Sequence, residues 1–376
     1  MTAAGLIFSN IHDTSIPEMT RMRTMASIPY GCRYRLIDFA LSNMVNSGIT
    51  NVGVIAHYNY QSLLDHIGTG KDWDLARRSG GIKILPPYIT AYENRAAGKL
   101  YENRLEAVLG ASNFITRCNA DYIVLSDCDV ILNIDLKKVI EDHIQSGAYI
   151  TLVGKKLPAT EVFESEVNVL TADESGRLID LAVYKPENEA VNVSTNIMVI
   201  SRKELQNIVS ESIAHGYKSF THDIILAQMA SKLIRVYDFE GWGAHISSLE
   251  GYFKSSMELL NAEIRQDLFG GRDNRIYTKI RNSAPTKYTG NAKVKNSLIA
   301  DGCVIDGTVE NCILFRGVRV GKGTVIRNCI LLQDTYVGDN VSLNCVITDK
   351  NAMIKDGRTL SGHETMPFFI GKGQTV

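Results

Sequence analysis

Residues able to do chemistry are unevenly spread along this chain of 376 residues. The acidic group Asp127-Cys128-Asp129 follows at once an apolar, β-rich run, Tyr122-Ile123-Val124-Leu125. In open α/β sheets ligands bind beyond the carboxyl ends of the strands, so these carboxylates stand where a ligand would be met. Cysteines occur at 32, 118, 128, 303, 312, 329 and 345, and none forms a Cys-x-x-Cys pair. That excludes a zinc knuckle and a thioredoxin-type motif and predicts reduced, mostly buried thiols. His57 reads as a structural histidine. The stretch Lys71-Asp72-Trp73-Asp74-Leu75-Ala76-Arg77-Arg78 reads as a solvated charged surface, because 40 Lys and Arg balance 41 Asp and Glu to a net charge of −1. A nucleic-acid binder usually shows a basic excess.

The elements that must position these groups fall into two regimes. Over the first ~250 residues, short β-rich runs alternate with helical patterns, which predicts an α/β domain with a Rossmann-like, mostly parallel sheet. Gly5-Leu6-Ile7-Phe8 opens as a strand. Residues 34–47 read as a helix with Leu36, Ile37, Ala40, Leu41, Met44 and Val45 at helical spacing, and Gly48 follows as its C-terminal cap. Asn51–Ile55, Tyr122–Leu125, Tyr149–Val153 and Ile197–Ile200 are the next strands, with a loop over 186–193.

After residue 285 the pattern changes to a repeat: Asn296-Ser297-Leu298-Ile299, Asn311-Cys312-Ile313-Leu314, Asn328-Cys329-Ile330-Leu331 and Asn344-Cys345-Val346-Ile347. A second register, starting at Val320, Val337 and Ile354, steps by 17. Both are the mark of a left-handed hexapeptide-repeat β-helix. The repeat predicts that Asn311, Asn328 and Asn344 stack at one corner and that Cys312, Cys329 and Cys345 form a column beside them. His363, the first histidine after the repeats, reads as lying beyond the last coil. The expected domains are 1–250 (α/β), 251–285 (helical linker) and 286–376 (β-helix).

The segment Tyr30-Gly31-Cys32-Arg33-Tyr34-Arg35-Leu36-Ile37-Asp38-Phe39-Ala40-Leu41-Ser42-Asn43, with Asn46-Ser47-Gly48-Ile49 after it, resembles the F-G-G-K-Y-R-[LI]-I-D-F-x-L-S-N-x-x-N-S-G-I pattern of sugar-nucleotide pyrophosphorylases. The likeness is greatest to bacterial glucose-1-phosphate adenylyltransferase. Val183-Tyr184-Lys185-Pro186, Thr221-His222-Asp223-Ile224 and Leu249-Glu250-Gly251-Tyr252-Phe253 resemble its V-E-K-P, H-D-F and L-E-A-Y-W. The resemblance implies a nucleotidyltransferase domain that joins a sugar 1-phosphate to the α-phosphorus of a nucleoside triphosphate. Such a reaction needs a glycine cradle, cations and Mg²⁺ held by carboxylates.

Against that pattern the chemical positions depart. The glycine-rich loop reads Phe8-Ser9-Asn10-Ile11-His12-Asp13, so Asn10, Ile11 and Asp13 stand where glycines would be, Asp13 adds negative charge, and the arginine that follows in the pattern is gone. Met25 replaces a lysine, while Arg23 remains. His245 replaces a Mg²⁺-binding carboxylate, and imidazole is a poor ligand for that hard ion. Asn103-Arg104-Leu105-Glu106-Ala107 replaces a segment lying against the nucleotide, so Arg104 and Leu105 should crowd the base. Either Asp127 or Asp129 aligns with the other metal ligand, and Asp129 is the vestigial candidate.

This combination resembles the GlgD-type, regulatory and non-catalytic branch of the family. It implies a heterotetramer with a catalytic GlgC-type chain, assembled partly through the coil edges and strand faces near 300–350. A sugar-phosphate or phosphate effector would be held at residual anion sites among Arg23, Arg33 and Lys185. Mg²⁺ is expected only if activity persists. The alternatives are an active nucleotidyltransferase and a hexapeptide-repeat acyltransferase, the latter weakened because no histidine lies between Asn291 and Thr359. With no apolar run near the ~20 residues a bilayer requires and no signal-like start, a cytoplasmic location without membrane or nucleic-acid partners is expected.

Overall fold

The computed structural model describes residues 2–86, 101, 103–162, 166–187, 189–271 and 273–376. One sheet is built from β1 (Ala3–Phe8), β2 (Asn51–Ile55), β3 (Gly81–Leu85), β4 (Tyr122–Asp127), β5 (Ile150–Leu157), β6 (Val167–Ala172), β7 (Leu178–Tyr184), β8 (Val191–Ser201) and β9 (Ile234–Phe239). Its order is β7-β6-β8-β4-β1-β2-β3, with β5 on β8 and β9 on β5. Only β7 and β8 run against the others. Strand β8 starts at Val191, so the predicted loop over 186–193 is shorter than expected; its Asn188 lies outside the described residues. Phe8 pairs with Asp127, so β1 and β4 end side by side.

Helix α1 (Leu36–Asn46) begins two residues later than its periodicity suggests, because Tyr34–Arg35 pair with Pro29–Tyr30 as a small hairpin. Asp38 then caps the helix, its Oδ2 accepting from the Arg35 N–H at 3.0 Å. Gly48, at φ +78°, takes the left-handed turn just past its end.

The C-terminal region forms three five-stranded parallel sheets, each taking one strand per coil. Their interior holds Ile305, Val320, Val337 and Ile354 along one face and Val309, Ile326 and Leu343 along another, all buried. Asn296, Asn311 and Asn328 adopt left-handed φ of 42°, 52° and 50° at one corner, each side-chain amide donating a hydrogen bond to the next one's Oδ1.

The fourth coil departs from the predicted stacking. Asn344 pairs with Arg327, 17 residues back, so Cys345 takes the left-handed corner at φ 50°. The interior place of Cys312 and Cys329 passes to Val346. The Asn-Cys motif is 16 residues from the previous one, but strand pairing holds to 17, and the apolar Val346 fills the core as well as a thiol does. Asn344 still ends the amide ladder, accepting from Asn328 at 3.1 Å. His363 is not beyond the last coil: it sits exposed in an insertion between Thr359–Ser361 and Phe368–Ile370 of that coil.

One outer face of the β-helix is covered. Ile313, Phe315, Ile330, Leu332 and Ile347 join Tyr30, Phe39, Tyr252, Phe253 and Met25 in a single buried cluster. The face near 300–350 expected to meet another subunit is thus partly spent on the chain's own α/β domain. Helix α2 (Leu249–Glu258) contributes Tyr252, whose hydroxyl donates to the Pro29 carbonyl, while Tyr30 donates to the Ser255 carbonyl. Arg23 and Asp349, 326 residues apart, close this seam with a buried two-oxygen ion pair at 2.8 Å. Among the described residues no helix is long and apolar enough to cross a membrane.

Candidate functional site

Two clefts hold most of the charged side chains at issue. The first lies beyond the ends of β1 and β4. The loop after β1 brings His12 over the carboxylates that follow β4. Its Nε2 lies 2.9 Å from Asp127 Oδ2 and 3.4 Å from Asp129 Oδ2. A short ladder of Val130–Leu132 with Gly243–His245 sets His245 beside Asp129, at 2.7 Å. Arg104 leaves its helix to pair with Asp127. Burial alone would lower the His12 pKa, but Asp129 and Asp127 outweigh it and raise it. Burial likewise opposes ionisation of Asp129, yet His12 and His245 hold its carboxyl below the usual range.

The other changed loop positions are structural. Asp13 accepts from the Met25 N–H at 2.6 Å, and burial pushes its carboxyl up to about 7. Ile11 packs against the sheet core, and Asn10 is buried. Met25, 1% exposed, belongs to the domain seam. Leu105 is fully buried in the core rather than projecting toward a base. His57 meets Tyr58 edge-on and Tyr101 at a tilt, but its Nε2 is buried without a partner among the described residues.

The resemblance implied Mg²⁺ here, and the donors do not fit it. Mg²⁺ takes oxygen ligands in a near-ideal octahedron, whereas two imidazoles and a guanidinium stand on these carboxylates. His12 drew no attention in the sequence because its partners are 115 and 117 residues away; the one available signal was a histidine in a loop whose alternative is glycine.

The second cleft lies between the domains. Arg33, Arg35, Lys279, Arg281, Arg316 and Lys350 line it, and no carboxylate does among the described residues. Burial, with Arg35, Arg23 and Arg281 nearby, lowers Lys350 to about 7, against the opposing pull of Asp349. Burial lowers Arg35 to about 10. Of the three predicted anion residues, Arg33 is exposed at the rim, its Cζ 5.4 Å from the Tyr34 ring centroid. Arg23 is engaged by Asp349. Lys185 is exposed just past β7, apart from both clefts. Lys279, Arg281, Arg316 and Lys350 escaped the sequence reading because the cleft forms only where the coils meet the Tyr30–Arg35 hairpin.

The fold and the first cleft define the class: a nucleotidyltransferase-type α/β domain carrying a hexapeptide β-helix. A family profile described as "Nucleotidyl transferase" matches residues 15–243, and one described as "GlmU-like, C-terminal hexapeptide" matches 283–365. The chain belongs to the glucose-1-phosphate adenylyltransferase family. It is similar to the glycogen biosynthesis protein GlgD of Bacillus subtilis, 33% identical over 98% of this chain and 95% of that one. It is also similar to the glucose-1-phosphate adenylyltransferase of Fervidobacterium nodosum (31%, over 94% and 84%) and that of Geobacillus stearothermophilus (33%, over 80% and 77%).

Proposed function

We propose that this chain is a regulatory, catalytically weak subunit in glycogen biosynthesis, acting on a catalytic glucose-1-phosphate adenylyltransferase partner in a hetero-oligomer. The observation that carries this reading is that the groups which would meet a triphosphate are engaged within the chain. Arg104 and His12 are drawn onto Asp127, His245 onto Asp129, and the position of the phosphate-facing lysine is Met25, packed in the seam. A nucleotide would have to compete with these carboxylates for every nearby cation.

The cationic cleft supports the regulatory half of the reading. Its lysines and arginines repel one another across a partly buried space, so a phosphate or sugar phosphate would relieve them. It lies on the seam where the β-helix meets the α/β domain, so an anion bound there with different affinity in two domain arrangements would shift between them.

The purified chain alone should make ADP-glucose from ATP and glucose 1-phosphate at least ~10⁴-fold more slowly than a catalytic chain, since losing one transition-state contact costs ~10²–10³ and several are lost here. Co-expressed with a catalytic chain, it should co-elute and change that partner's maximal rate, substrate affinity or phosphate response. Robust turnover alone overturns the first half. Separate elution with unchanged partner kinetics overturns the second.

A further inference from the structure

The mismatch with Mg²⁺ leaves four well-placed donors. We propose that His12, Asp127, Asp129 and His245 form a site for a borderline divalent transition ion of the Zn²⁺ class. This goes beyond the regulatory reading and does not depend on it.

Imidazole together with carboxylate suits Zn²⁺, Co²⁺ and their neighbours, where Mg²⁺ takes oxygens alone. One donor atom each from His12, Asp127 and Asp129 lies within 4.8 Å of the others. His245 Nε2 stands 2.7 Å from the same Asp129 oxygen that is 3.4 Å from His12. Donors sharing one Zn²⁺ at ~2.0–2.2 Å sit roughly 3.3 Å apart in a tetrahedron; His12, Asp127 and Asp129 lie near that spacing, while His245 must draw in and Arg104 must give up Asp127 to the ion.

The second observation is independent of that spacing. Asp127 and Asp129 are 2% and 1% exposed, and the Oδ1 atom of each is buried without a partner among the described residues. Buried acceptors are ordinarily satisfied, and an ion drawn onto either carboxylate would give its second oxygen a partner. The cluster also opens on a cleft of about 340 Å³, lined by Ser15, Asn168, Ser194, Asn196 and Ser247, through which an ion and a water can enter.

The test uses the full chain, stripped with a chelator and titrated with Zn²⁺ against a chromophoric competitor, then with Co²⁺ under visible absorption. One equivalent of Zn²⁺ should bind, a Co²⁺ d–d band should appear, and excess Mg²⁺ should displace neither. Loss of a mere outer-shell partner costs 10–100-fold in metal affinity, so His12→Ala and His245→Ala should each weaken Zn²⁺ by about 100-fold or more, while His363→Ala, at an exposed position outside the cluster, should not. Absence of a stoichiometric site, or a site unchanged in both variants, overturns the proposal and leaves the imidazoles as internal counter-charges. Should either variant fail to fold, zinc-edge X-ray absorption on the unaltered chain decides: two imidazole ligands are expected, and a shell of sulfur or of oxygen alone overturns it.

Discussion

At the ends of β1 and β4, two carboxylates are met by basic side chains from three separate segments of the same chain. Between the domains, six cations face one another with no lining carboxylate among the described residues. Both clefts lie in a molecule whose net charge is −1, so the total says nothing about either. What separates them is where the counter-charge comes from. In the first, basic side chains of the same chain stand on both carboxylates; in the second, among the described residues, only Arg316 holds a carboxylate, that of Asp301 outside the lining. Retained charged residues therefore do not mark a retained function. Arg23 is conserved in type relative to the family pattern, yet it serves the seam, while Lys350 and Arg281, outside any motif, shape the cleft that lacks an anion.

The largest effect expected on this contrast is at Arg23, whose buried anion is Asp349; of the cations lining the cleft itself, Arg316 also has one, Asp301 at 3.1 Å. Asp349→Ala should leave Arg23 buried and unpaired, at a cost of about 3–5 kcal/mol in denaturant unfolding. The double change Arg23→Met with Asp349→Leu should recover most of that loss. Equal midpoints for Asp349→Ala and the unaltered chain would show that the seam does not depend on this pair.

Met25→Lys comes next. It returns the family's residue type to a position now 1% exposed within an apolar cluster. It should lower stability by roughly 2–4 kcal/mol without restoring ADP-glucose synthesis, because the loop and His245 are unchanged and coupled catalytic groups do not act singly. A stable Met25→Lys chain with high turnover would erase the distinction between a seam residue and a lost catalytic one.

The smallest effect concerns Lys350. Its folded pKa is lowered to about 7 from an ordinary 10.5. Below pH 7 the lysine is charged in both folded and unfolded states, and the penalty of burying that charge is fully present. As pH rises from about 7 toward 10.5, the unfolded chain binds more protons than the folded one, and stability grows. Lys350→Met should accordingly stabilise the protein by about 1–2 kcal/mol near pH 6.5, with the gain shrinking toward pH 10. Added phosphate should stabilise the unaltered chain and do so less in Lys350→Met. Thermal melts across that range, with and without phosphate, measure both. A gain independent of pH would mean that the cleft holds no strained lysine.

The fold was legible where its period is short. The recurring Asn-led motifs and the register stepping by 17 announced the coils, and the helical spacing from Leu36 to Val45 announced α1. The slip at Cys345 was not legible, because a side-chain motif and a strand register can differ by one residue and only backbone pairing decides between them. The site was half legible. Each altered position stood out against the family pattern, but what replaced its chemistry did not: His12 meets Asp129 across 117 positions, and Arg23 meets Asp349 across 326. The strand faces near 300–350 read as surface for another subunit, but the repeat does not say which of its three faces is covered, and Ile313, Ile330 and Ile347 lie under the chain's own α/β domain.

The reach from Arg23 to Asp349 also sets a schedule. At synthesis rates of ~5–20 residues per second, roughly 15 to 65 s separate the emergence of the two residues. In that interval the α/β domain can fold and Met25, Tyr30 and Phe39 gain Ile313, Phe315, Ile330 and Leu332 coil by coil, but Arg23 has no acid. A newborn chain thus carries Arg23 without its counter-charge until the coil bearing Asp349 is made, and a chain ended before Asp349 would keep that guanidinium unpaired.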